Sequence, residues 1–337
     1  MRVTLFCLFV LLGFSLPSQS QVSRDSISVM SQDSIIDSIS FPADVKEKAF
    51  EKYMDLTKSR GNVQGGACFG NYLFVGHDRN TIMDVYDLST RLFVCVMKMN
   101  TPEPRSRCHA NTINFGSQFY KKNDEFPLLY VSSGYSISKI DDRSNVYVYR
   151  ISKKIINDDS IAFNSELVQT ISIIGPGGWS ECVSDIDNEA LWFRYDRIAK
   201  RCYLKYPVPD VQLEIVEIDP AEKPAIDTII TRNFSVIRHC QGMLCHEMNF
   251  FIPSGVPSWG EEPYLSIINL EKKDYTHIVN LYDLEMFNRF RLRDNNWEPE
   301  FFFFYNDDYF MGYRRAVYKL NMDMVKKENY FYNINYR

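Results

Sequence analysis

Five polar residues recur at one place in a repeated pattern, and they are the part of the chain best suited to chemistry: Gln64, His109, Glu181, Gln241 and Glu300. Each opens a short run of small or apolar residues. In four copies an apolar triplet begins nine residues later without a gap. The triplets are Leu73-Phe74-Val75, Ala190-Leu191-Trp192, Phe250-Phe251-Ile252 and Tyr309-Phe310-Met311. The copy headed by His109 reaches Leu128-Leu129-Tyr130-Val131 after ten extra residues, which include the polar tip Lys121-Lys122-Asn123-Asp124-Glu125. Equivalent positions around one axis would bring two carboxylates, an imidazole and two amides into one funnel. Such a set can bind a polar ligand or a cation. It can also do acid–base work if burial and like charge raise one glutamate pKa. The competing role is structural, because buried polar groups need hydrogen-bond partners whether or not a ligand exists.

His239 shares a strand face with Gln241, and Trp179 and Trp297 stand just ahead of Glu181 and Glu300. Aromatics at a funnel rim stack on sugars or clamp a peptide; packed beneath a loop, they are core. The run His239-Cys240-Gln241-Gly242-Met243-Leu244-Cys245-His246 has metal-ligand residue types. In a strand, however, Cys240 and Cys245 face opposite sides and sit ~16 Å apart, too far for one ion or a local disulfide. No metal and no cofactor is expected. Asp185-Ile186-Asp187-Asn188-Glu189 has calcium-loop spacing but lacks the glycine turn and distant glutamate, and reads as a hairpin turn. Cys68 and Cys245 fall at the same repeat position, which suggests packing between repeats. At most two disulfides are expected.

The elements that must position these groups are strands. Short runs such as Asn145 to Ile151 and Ile82 to Leu88 alternate with period two and end at Asp, Asn, Gly or Pro. A repeat of about four antiparallel strands is one blade of a β-propeller. A lone blade has two apolar faces, and stacking blades around an axis buries both. The expected fold is therefore all-β, a propeller of five four-stranded antiparallel blades, with room for a sixth in 196–237. The segment Lys48 to Thr57 reads equally well as a helix or as the strand that completes the last blade. Ala316 to Leu320 and Tyr330 to Tyr336 read as strands of the last copy.

Two segments stand outside the repeats. Arg2, the apolar stretch Leu5 to Leu16, Pro17 and the small residues Ser18 and Ser20 make residues 1–20 a signal peptide. Residues 21–40 repeat Asp-Ser-Ile, carry no aromatic, and read as a flexible tether. Residues 41–337 form the propeller domain. The expected destination is the periplasm or exterior of a bacterium. The chain is 45% hydrophobic, 15% aromatic and 24% charged, which excludes wholesale disorder and favours sheet. A formal net charge of -5 with scattered positive residues argues against nucleic acid as a partner. No apolar run is long enough for a transmembrane segment after signal cleavage.

Gln64-Gly65-Gly66-Ala67, His109-Ala110-Asn111 and Val85-Tyr86-Asp87-Leu88 resemble the blade openings and short strands of a family of secreted bacterial β-propeller proteins. The resemblance covers roughly residues 60–325 and implies architecture rather than a reaction. Plant-type glutaminyl cyclases open some blades similarly with Gln-Gly or Glu-Gly. Here Glu181 is followed by Cys182 and Glu300 by Phe301, so that chemistry is not carried over. Three functions follow as expectations. The first is a binding module that recognises a glycan, peptide or partner protein through the funnel face. The second is a hydrolase or lyase using Glu181, Glu300 and His109. The third is an envelope-assembly protein.

Overall fold

Tight turns set the blade pattern. Asn306 and Asp307 both take positive φ (47° and 63°), the geometry that lets a two-residue turn match the twist of its flanking strands. Gly70 supplies the same freedom in the first copy (φ 55°). The computed structural model describes residues 49–56, 62–77, 81–102, 110–132, 143–157, 160–175, 181–195, 200–232, 239–281, 298–313 and 315–327.

The chain enters with β1 (Phe50–Asp55) and then builds five sheets. Blade one is β2 (Val63–Phe69), β3 (Tyr72–His77), β4 (Ile82–Asp87) and β5 (Leu92–Lys98). Blade two is β6 (Ile113–Phe115), β7 (Leu129–Ser132), β8 (Arg143–Asn157) and β9 (Ser160–Ile174). Blade three is β10 (Cys182–Asp185), β11 (Ala190–Arg194) and β12 (Lys200–Pro207), completed by β14 (Asp227–Arg232) after the short β13 (Ile215–Ile218). Blade four is β15 (Leu244–His246), β16 (Asn249–Ser254), β17 (Tyr264–Asn269) and β18 (Asp274–Asn280). Blade five is β19 (Pro299–Tyr305), β20 (Asp308–Tyr313) and β21 (Ala316–Leu320), with β1 paired antiparallel to β21 as its outer strand. The protein is a five-bladed β-propeller. The innermost strands β2, β6, β10, β15 and β19 each neighbour the next, and β19 returns to β2.

Burial explains why the strands read as apolar runs rather than as half-polar ones. Leu73 and Val75 pack toward Phe301 and Phe303 of blade five, while Phe74 between them packs toward Phe115 and Leu129 of blade two. Leu191 and Phe193 face blade two, and Trp192 faces Phe250 of blade four. Alternate side chains thus go to opposite neighbours, and both faces of each sheet become core. The inner strands approach so closely that a Cβ on Gly65 would sit 2.4 Å from the Ala110 carbonyl oxygen. A Cβ on Gly242 would sit 3.0 Å from that of Glu300.

The structure decides several open points. Lys48 to Thr57 contributes a strand, β1, and not a helix. The described residues of stretch 196–237 form no sixth blade: β12 and β14 belong to blade three, and β13 pairs parallel with β9 and makes blade two five-stranded. Residues 330–336 lie outside the described residues; after β21 comes helix α1 (Met322–Lys327). The hairpin β8–β9 is longer than expected, and it carries Phe163 into the core between blades one and two. The leader 1–20 and the tether 21–40 also lie outside the described residues. Among the described residues no helix is long and apolar enough to cross a membrane.

Candidate functional site

Strand register identifies the residues that head the five inner strands. The residue opposite the first member of each apolar triplet is Cys68, Asp185, Cys245 or Phe304, facing Leu73, Ala190, Phe250 and Tyr309. Four positions before these stand Gln64, Glu181, Gln241 and Glu300. In blade two the Gly116 N–H donates to the Leu128 carbonyl at 2.9 Å and Phe115 faces Leu129, so the equivalent head falls at Asn111–Thr112, two to three residues past His109. The insertion between β6 and β7 hides this offset in the sequence. His109 itself lies outside the described residues, as do Trp179 and Trp297.

All five heads are buried. The Glu181 carboxylate accepts a hydrogen bond from Arg194 Nη1 at 2.8 Å, and the two side chains are 2% and 7% exposed. Arg194 closes the hairpin from the next strand, its N–H donating to the Glu181 carbonyl at 2.8 Å. Gln241 donates its backbone N–H to the Pro253 carbonyl at 2.9 Å. Among the described residues, Asn111 Oδ1 and the neighbouring Thr112 Oγ1 are buried without a hydrogen-bond partner. In blade one, His77 at the end of β3 places Nε2 3.0 Å from Asp84 Oδ2, both side chains buried.

One blade interface is stitched by a single amide. Asn114 Nδ2 donates to the Cys182 carbonyl at 2.8 Å, and Asn114 Oδ1 accepts from the Ser184 N–H at 2.8 Å and its hydroxyl at 2.6 Å. Ser132 Oγ accepts from the Cys182 N–H at 2.9 Å. This is what neighbouring inner strands require, since their edge N–H and C=O groups face another blade and not water.

His239 stands two residues before Gln241, where the Gly255 N–H donates to its carbonyl at 2.8 Å. Its Nδ1 lies 2.8 and 2.9 Å from the two Glu261 carboxylate oxygens. Glu261 also accepts from the Val256 N–H at 3.1 Å. Its own N–H donates to the Val256 carbonyl at 3.3 Å, so the turn from Val256 to Glu261 is closed twice. Gly255 (φ 103°) and Gly260 (φ 79°) supply the backbone freedom at its two bends. A single 3-10 turn, Pro257–Trp259, presents the Trp259 ring, 66% exposed and edge-on to His239 at 5.0 Å. Beside it Glu262 Oε2 accepts from Tyr264 Oη at 3.0 Å and Asn280 Nδ2 at 2.6 Å. The turn joins β16 to β17 at the end of the blade where the inner strand begins.

The metal-like cysteine run gathers nothing. No group of three or more His, Cys, Asp or Glu side chains suited to an ion occurs among the described residues. Cys68, Cys95, Cys182, Cys202, Cys240 and Cys245 are free thiols; Cys108 lies outside the described residues. Burial pushes the Cys182 and Cys240 thiols upward and raises that of Cys68 to about 12, so they behave as small apolar side chains. Asp185 closes its hairpin turn by accepting from Asn188 Nδ2 at 2.8 Å and Trp192 Nε1 at 3.2 Å, with Lys205 Nζ at 2.8 Å.

Sequence reading missed Arg194, Glu261 and Asn111. Arg194 was within reach, because it stands as far beyond Glu181 as His77 stands beyond Gln64 and Tyr313 beyond Glu300. Glu261 carried no periodic signal.

No protein-family model matches the chain, and no curated protein does. Similar solved structures include glutaminyl cyclase of Myxococcus xanthus, at 8% identity over 82% of this chain and 98% of that one, TM-score 0.47. The PQQ-bound aldose sugar dehydrogenase of Streptomyces coelicolor has 8% identity over 82% and 99%, TM-score 0.46. A tail fibre of Staphylococcus aureus phage P68 has 10% identity over 82% and 54%, TM-score 0.44. These likenesses bring no chemistry to this chain.

Proposed function

We propose that the protein is a secreted binding module that takes a glycan on the Trp259 end of the propeller. The supporting observation is the Trp259 ring, exposed on a doubly closed turn and set edge-on to a His239 ring that Glu261 orients. A carboxylate only accepts, so His239 Nδ1 carries its proton toward Glu261, and Nε2 is the ring atom left for a ligand hydroxyl. A flat apolar face beside a few fixed polar atoms is the composition of a small-molecule site, and a pyranose ring presents both surfaces. Glu181 suits acid–base work poorly in this setting, because Arg194 already occupies its carboxylate. Secretion is part of the proposal and rests on the apolar leader.

The test is a thermal-shift and tryptophan-fluorescence screen of the chain from Gln21 against oligosaccharides and short peptides. A ligand that binds only the folded state raises Tm by mass action. The glycan reading expects an oligosaccharide hit that Trp259→Ala removes without lowering the unliganded Tm. Peptide hits alone would replace it, and a glycan hit indifferent to Trp259→Ala would move the site elsewhere.

A further inference from the structure

The opposite end of the blades carries the turns that follow the inner strands, and these turns do not look like inert solvent loops. Three neighbouring blades expose a large apolar side chain there: Phe119 beyond β6 (42% exposed), Ile186 beyond β10 (54%) and Met248 beyond β15 (46%). The inner strands neighbour one another in that order, so the three residues line one arc around the axis. Exposed apolar groups gathered on one face, unlike scattered ones, mark an interaction surface.

Charge decides the partner. Ile186 is followed by Asp187 and Glu189, Met248 is preceded by Glu247, and blade five continues the arc with Asp307 and Asp308. Among the basic residues on this end, Lys319, Lys273 and Lys205 are ion-paired with Asp308, Asp227 and Asp185, Lys272 stands beside Glu271 in the turn between β17 and β18, and Lys121 and Lys122 sit at the Phe119 side. Blade five also opens a cavity of about 400 Å³, lined by the acids Glu51, Asp307, Asp308 and Asp323 and by Lys319, which is ion-paired with Asp308. The cavity is wide enough for one long cationic side chain, whose methylenes could lie on Leu320 and Met322.

The turn at Met248 is a two-residue turn like that at Asn306-Asp307. Glu247 and Met248 both hold positive φ (47° and 59°), where Asn and Gly sit with less strain. Glu247 also lies against Tyr309 and 3.9 Å from His246 Nε2.

We infer that this end of the propeller docks a protein segment that alternates basic and aliphatic residues. The aliphatic side chains lie on Ile186 and Met248. The basic ones meet the acids of blades three to five, one of them entering the blade-five cavity. The surface lies at the other end of the blades from Trp259, and the inference does not depend on the glycan proposal.

The experiment uses the chain from Gln21 and a fluorescent peptide that alternates Arg and Leu, with Glu-for-Arg and Ser-for-Leu versions beside it. Anisotropy should show saturable binding of the Arg–Leu peptide, weakening as salt is raised, because exposed charges are screened beyond ~10 Å at 0.1 M. The Glu version should not bind, and the Ser version should bind about tenfold more weakly. The double substitution Glu247→Asn, Met248→Gly should weaken binding about tenfold while leaving Tm equal or higher, since it relieves the turn. Trp259→Ala should leave peptide binding unchanged. The inference is overturned if the folded protein shows no saturable binding, if the turn variant binds as well as the parent, or if Trp259→Ala is what abolishes it.

Discussion

Glu181 and Arg194 meet at 2.8 Å with almost no access to water, one heading the inner strand of blade three and the other ending the strand beside it. Each charge helps to offset the burial of the other. Glu181→Gln should therefore destabilise the protein by about 3–5 kcal/mol in urea titration, because it removes the carboxylate charge paired with a buried guanidinium. Replacing both by apolar residues of similar size should recover much of the loss. An unchanged midpoint for Glu181→Gln would show that the pair is not what holds this corner of the blade.

The Asn114 amide is expected to matter as much as a core hydrophobe. It makes three hydrogen bonds into β10, and Asn114→Ala leaves the Ser184 N–H and the Cys182 carbonyl to find other partners. A loss of about 2–3 kcal/mol follows from one unit per bond. Hydrogen exchange should show the extra opening at Cys182 and Ser184 before it shows any in blades one and five.

Closure of the ring depends on β1, which links the first described segment to the last sheet. Phe50 belongs to the core between blades four and five, and Met54 to the core between blades five and one. Leu56 ties off the strand by donating its N–H to the Arg315 carbonyl at 2.6 Å. A chain that begins at Asn62 should lose at least ~10 °C of Tm or fail to fold, since it bares the β21 edge and part of two cores. Adding a synthetic peptide of residues 47–61 should restore part of the loss.

Acid should weaken the fold in two steps. The His277 pKa lies below its ordinary 6.5, through burial first and the nearby Lys326 charge second. The unfolded chain then takes up the proton more readily, so stability falls as pH drops below about 6.5, and the fall ends once the folded group also titrates. For Asp124 the Arg150 hydrogen bonds dominate; for Asp185 and Asp227 burial is the largest single influence and pushes upward, but it is outweighed by the combined contacts of Lys205, Asn188 and Trp192 with Asp185 and of Lys273, the Thr228 N–H and Lys205 with Asp227. All three sit below the ordinary 3.8, so their contribution is complete above that value and is lost as pH falls through the folded values. His277→Gln should remove the upper step of a pH–stability curve and leave the lower one in place.

Much of the blade architecture was legible residue by residue. The apolar triplets, the nine-residue spacing and the Asn-Asp and Gly-Asn turns are local, and period-two geometry turns them into strands with two buried faces. The reading of Asp185 to Glu189 as a turn needed only local pattern, whereas Cys240 and Cys245, read as opposite faces of one strand, pack into the same core between blades three and four, because only Leu244–His246 is strand.

What the sequence by itself determined is the hairpin: its strands, its turn and the burial of both its faces, all set by neighbours a few residues apart. Tertiary structure alone decided which edges meet. It put β1 on β21, across nearly the whole chain, and laid β13 against β9 where a sixth blade had seemed to have room. It moved the head of blade two past His109 to Asn111–Thr112, because an insertion breaks the count along the sequence. It set Arg194 on Glu181 and Glu261 on His239. Pairing of edges and charges depends on what is left unpaired once the sheets have closed into a ring, and no local pattern records that.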